Sequence, residues 1–204
     1  MIEVEELEGI ALEAWEATGE MLPVEAVELA ERLGLECIPW MKSTGRRVGS
    51  RLWHPASSLH TRPVRQQGIV RHELAHWLLE DHGHDARDED AARYLSGALG
   101  LPRRPFLADF GRTVLDLDAL ELLHPHVSAE AIVCRMTQVM PATAWVWDAG
   151  KLSRTYGVAE DAASVAELVE QVLTLERPVV EGCVRAWPRI DGAWRRVLVV
   201  ARAA

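Results

Sequence analysis

The chain reads as an α+β protein: a mainly helical unit with a small sheet near its N-terminus, followed by a small α+β extension. Two observations predict this. Helical periodicity punctuated by Pro and Gly runs through most of residues 3–139, and short apolar runs bounded by turn residues lie at 35–53 and again after 141. With 204 residues, 49% of them apolar, the chain is long enough to bury a sizeable core. There is no internal repeat and no low-complexity linker, so the expected division is one compact unit over 1–140 and an extension over 141–204.

Residues 3–17 and 24–33 carry the spacing of amphipathic helices, with Pro23 near the start of the second and Gly34 at its end. Leu35 to Trp40 is a strand candidate, Lys42 to Gly45 a turn, and Arg46 to Trp53 a second strand, with a third near Ser58–His60. Pro63 sits where a first helical turn begins, and Val64 to about Glu80 follows as one helix. A loop around Gly83 leads to a helix over Asp88–Leu99, closed by Gly100 and Pro102. Residues 105–139 read as three short helical pieces, the last with Ser128 as its N-cap. Ala144–Trp147, Val179–Trp187 and Trp194–Arg202 read as strands, with a helix over Asp161–Leu175 between the first two.

The formal net charge of −9 is unevenly placed: residues 1–40 hold eleven acidic residues against the single basic Arg32. Such a chain repels phosphate, which disfavours direct nucleic-acid binding and leaves the acidic segment as a docking face for a basic partner or a solvated helix face. No apolar run reaches the roughly 18 residues of a membrane span. The start of the chain lacks the basic and apolar regions of a signal peptide, and Cys37, Cys134 and Cys183 form no CxxC pair. A reducing cytoplasm is the expected location.

The chemistry concentrates in His72-Glu73-Leu74-Ala75-His76, an HExxH sequence within the 64–80 helix. Residues four apart share a helix face, so both imidazoles can reach one metal ion at about 2.0–2.1 Å. Zinc suits two imidazoles and a carboxylate with one position open, and it lowers the pKa of bound water to about 7. Glu73 is placed to take a proton from that water.

A third protein ligand must come from elsewhere. His82 lies six residues after His76, the spacing of HExxHxxGxxH, but Leu79 stands where that pattern needs Gly. Asp88 is the other candidate. At about 100° per residue, the face formed by Ala91, Ala92, Tyr94, Leu95, Ala98 and Leu99 has Asp88 within roughly 40° of its centre, whereas Glu89 and Asp90 point toward solvent. A helical carboxylate packed against an HExxH helix is a zincin-like arrangement. The other reading of Asp88 is a charge favourable to the helix dipole.

Four stretches together resemble the ImmA/IrrE-type metallopeptidases: LPVEAVELAERLGLECIPW, Arg71–Leu79 (RHELAHWLL), Asp88–Leu95 (DEDAARYL) and Leu115–Val139 with VSAEAIVCRM. The resemblance covers residues 20–140. It implies a zincin-like fold with His72, His76 and Asp88 as zinc ligands and Glu73 as general base. It also implies a zinc-dependent regulatory endopeptidase that cleaves a helix-turn-helix repressor and so derepresses transcription, with no direct nucleic-acid or membrane contact. Two readings stand beside it: a non-catalytic module that sequesters such a repressor, and one half of a toxin–antitoxin-like gene pair.

Overall fold

The periodic segments of the first half become helices that bury their apolar faces against one another. The computed structural model describes residues 2–19, 25–56, 63–113, 116–157, 162–191 and 194–202. The chain is mixed α+β and divides into two units, Met1–Ser128 and Ala129–Ala204.

In the first unit, α1 (Val4–Thr18) stops at Gly19, whose φ of 70° is a left-handed conformation that glycine adopts without strain. Then come α2 (Ala26–Arg32), β1 (Glu36–Trp40), β2 (Arg46–Val48), β3 (Arg51–Pro55), α3 (Pro63–Asp81), α4 (Glu89–Gly100), α5 (Arg103–Thr113) and α6 (Leu117–Leu123). Pro63 opens α3, where its missing N–H costs nothing. Leu7, Ile10 and Trp15 of α1, Leu29 of α2, Val70, Leu74 and Leu78 of α3, and Leu95 and Leu99 of α4 form one buried core. α3 lies at its centre and packs against α2, α4, β2 and β3. The expected single strand over Arg46–Trp53 is a hairpin instead. Gly49, at a φ of 59°, reverses the chain, and β2 returns antiparallel on β3 while β1 runs parallel on its other side. The strand expected near Ser58–His60 and the helix-opening Pro23 lie outside the described residues.

The second unit opens with α7 (Ala129–Val139). It continues through β4 (Ala142–Asp148), β5 (Lys151–Gly157), a 3₁₀ turn (Ala162–Val165), α8 (Ala166–Leu175), β6 (Val179–Glu181), β7 (Val184–Asp191) and β8 (Trp194–Arg202). Its antiparallel sheet has the order β5-β4-β8-β7-β6. Trp145, Val197, Val199 and Ala186 pack on Leu168, Val169 and Val172 of α8. α7 packs on β4, β5 and β8. The division therefore falls after Ser128 rather than at the expected residue 140. α7 goes with the sheet because Glu130 accepts hydrogen bonds from Tyr156 (2.8 Å) and Arg196 (2.6 Å). β5 escapes sequence reading because it is an edge strand exposed along most of its length, without apolar alternation. Among the described residues no helix is long and apolar enough to cross a membrane.

Candidate metal centre

α3 turns its apolar face, Val70, Leu74 and Leu78, into the core, which leaves His72 and His76 on a half-buried side. One helical turn apart, the two rings meet edge to face with centroids 4.6 Å apart and Nε2 atoms 3.2 Å apart. His76 is oriented from behind: its Nδ1–H donates to the Ala86 carbonyl oxygen at 2.7 Å. For a neutral imidazole that bond assigns the proton to Nδ1 and leaves Nε2 as a bare lone pair aimed at His72.

A carboxylate joins them from α4. Glu89 places Oε2 at 3.4 Å from His72 Nε2 and Oε1 at 3.5 Å from His76 Nε2. Among the described residues, His72, His76 and Glu89 form a group that could hold a metal ion. Their spacing tests the fit: four donors at about 2.0–2.1 Å around a tetrahedral ion lie about 3.3–3.4 Å from one another. The two imidazole Nε2 atoms lie 3.2 Å apart, close to that edge, and each has one of the two Glu89 oxygens at 3.4 or 3.5 Å. Two imidazoles and a carboxylate converging on one point are a donor set that suits a divalent ion such as zinc. Burial, with His76 adding to it, holds the His72 pKa below the ordinary imidazole value against the pull of Glu89. A neutral His72 is the form a metal binds.

The third position is thus Glu89 and not the expected Asp88. Asp88 stands one residue before α4, in extended conformation (φ −71°, ψ 93°), and its carboxylate accepts from the Asp90 and Ala91 backbone N–H groups as the N-cap. Projecting Asp88 onto a helical wheel fails because the helix has not yet begun there. Glu89, assigned to solvent by the same wheel, is 61% exposed, yet its carboxylate reaches both imidazoles. A signal for it was present: Asp is among the best N-cap residues, and Asp88 precedes two further acids, so the first helical residue is Glu89. His82 faces elsewhere, with Nδ1 at 2.8 Å from the Leu78 carbonyl oxygen and Nε2 at 3.2 Å from the Glu13 carboxylate on α1.

Glu73 projects toward β2. A Cβ on Gly45 would come within 2.6 Å of Glu73 Cγ and 2.9 Å of its Oε1, so only glycine lets that strand lie so close. Burial raises the Glu73 pKa, partly opposed by His76 and by Arg47, whose backbone also hydrogen-bonds to it.

No protein-family model matches the chain, and no curated protein does. Among solved structures it is similar to a Mycobacterium tuberculosis transcriptional regulator, with a TM-score of 0.70 and 18% sequence identity, over 97% of this chain and 76% of that one. At that identity the likeness shows a shared fold. It also corrects the expectation of a repressor-cleaving metallopeptidase. The similar structure bears the name of a transcriptional regulator, and none of the comparisons points to a peptidase or another hydrolase.

Proposed function

We propose that this chain is a zinc-binding component of transcriptional control that acts in the cytoplasm through a protein partner. The likeness of nearly the whole chain to a transcriptional regulator carries this reading. The acidic N-terminal segment supports the partner. Glu5, Glu6, Glu13 and Glu16 are exposed on α1, a surface that repels DNA and attracts a basic protein such as a helix-turn-helix regulator. The resemblance to ImmA/IrrE-type proteins enters only for a zincin-like first unit and its metal ligands. Zinc would be held by His72, His76 and Glu89, and would supply a positive charge joining α3 to the first turn of α4.

The test is transcript profiling of host cells that lack the chain, complemented with the wild type or with a His72→Ala/His76→Ala variant. A defined set of transcripts should change on deletion and return with the wild type only. Transcripts that stay the same on deletion would count against a regulatory role, and full rescue by the double variant would count against the metal's part in it.

A further inference from the structure

Resting on the zinc reading above, we infer that Asp88 is a positioning residue for the metal centre: by capping α4 it places the Glu89 carboxylate against His72 and His76, without itself touching the metal.

The segment between α3 and α4 serves two of the three ligands. α3 ends with His84 N–H donating to the Leu79 carbonyl at 2.8 Å and Gly83 at a φ of 77°, which turns the chain sharply off the helix axis. The chain is then held locally. Arg87 N–H donates to the Asp85 carboxylate at 2.9 Å, and Asp88 N–H to the Asp85 carbonyl at 3.1 Å. This short course delivers the Ala86 carbonyl to His76 Nδ1. Two residues later Asp88 Oδ1 receives Asp90 N–H at 3.2 Å and Ala91 N–H at 3.0 Å. Those two bonds decide where the helix starts. Glu89 becomes its first residue, and a start displaced by one residue would rotate its side chain by about 100° and carry the carboxylate away from the imidazoles. Glu89 is largely exposed and its carboxylate meets only the two imidazoles in the ion-pair contacts described above, so the cap sets the ligand's direction.

Capping and ligation make different demands on residue 88, and that separates them. Asn and Ser cap nearly as well as Asp. Neither offers the carboxylate that a zinc ligand would supply.

The experiment measures zinc affinity by competition with a chromophoric chelator, together with the melting temperature of the metal-free protein. The proteins compared are the wild type, Asp88→Ala, Asp88→Asn, Asp88→Ser and Glu89→Gln. Asp88→Asn and Asp88→Ser should bind zinc within about threefold of the wild type, and Asp88→Ala about tenfold more weakly, the scale of lost support behind a ligand. Glu89→Gln should lose more than Asp88→Ala. If Asp88→Asn and Asp88→Ser lose as much as Asp88→Ala, Asp88 is a ligand and the inference falls. If Asp88→Ala lowers the melting temperature but binds zinc like the wild type, the cap is structural only and the inference again falls. A wild-type chain that takes up no zinc overturns the zinc reading, and this inference with it.

Discussion

Two helices of the first unit begin with nearly the same four residues and put them to different uses. α4 is entered through Asp88-Glu89-Asp90-Ala91 and α6 through Asp116-Leu117-Asp118-Ala119. The caps match: Asp88 accepts from the N–H groups of residues 90 and 91, and Asp116 from those of 118 and 119, at 3.0 and 3.4 Å. What differs is the residue placed first in the helix. Leu117 is 0% exposed and helps close the core. Glu89 stands at the surface and meets two histidines. The cap is therefore a general device for aiming one side chain. Whether the aim serves packing or chemistry depends on that residue and on what the neighbouring helix presents to it.

The largest effect should come from making the two starts alike. Glu89→Leu keeps the Asp88 cap and removes the carboxylate, so zinc affinity should fall about a hundredfold in chelator competition while α4 stays helical by circular dichroism. An unchanged affinity would show that His72 and His76 suffice without it.

Next in size is the reverse comparison. Asp116→Ala removes the other cap, a loss of about 1 kcal/mol, and should lower the melting temperature by about 4 °C with zinc affinity kept within about twofold. Asp88→Ala should lower both. Equal zinc losses in the two variants would mean that general destabilisation, and not aim, controls the metal site.

Gly45→Ala tests the other side of α3. The added methyl meets Glu73 Cγ and Ile69 Cγ2, at 2.6 and 2.7 Å, so overpacking should destabilise the protein by about 1–3 kcal/mol in urea unfolding. A variant as stable as the wild type would mean that β2 lifts off Glu73 at no cost.

The smallest effect concerns the tie between α1 and the segment leading to Asp88. For His82, burial works against the charged form, but the Leu78 carbonyl and Glu13 outweigh it, and the pKa rises above the ordinary 6.5. A raised folded pKa means that the bound proton stabilises the fold. That contribution is complete below about 6.5 and is lost as the pH rises through the folded value. Glu13→Gln should therefore melt lower than the wild type in mild acid, by about 1 °C for so exposed a pair, and the gap should close as the pH is raised. A gap that widens with pH would reverse the sign of the coupling.

Much of α3 was legible in advance. Pro63 marks its start, the spacing of Val70, Leu74 and Leu78 marks its buried face, and the four-residue step from His72 to His76 puts both rings on one side. The third residue of the candidate metal site is only partly legible: Asp88 is a good N-cap type, but which acid follows the cap depends on the helix start to within a single residue, the scale at which sequence patterns blur. The hairpin at Gly49 looks like one strand in sequence because the residues on both sides of the turn favour extended structure, and β5 leaves no sequence signal because an exposed edge needs no apolar alternation. The assignment of α7 to the second unit is hidden for a related reason. Its periodicity predicts a helix, but only Tyr156 and Arg196 on the strands reveal which neighbours it serves.

What lies within single elements can be read from the residues in order: most of the helices, the pair of histidines one turn apart, and the acidic N-terminal segment. Periodicity and charge are local, so a chain read in order displays them. Packing of the two helices is what brings Glu89, and not Asp88 or His82, into the group of possible metal donors among the described residues. Donors on separate helices converge only after α3 and α4 have packed and the turn between them has set where the second helix begins.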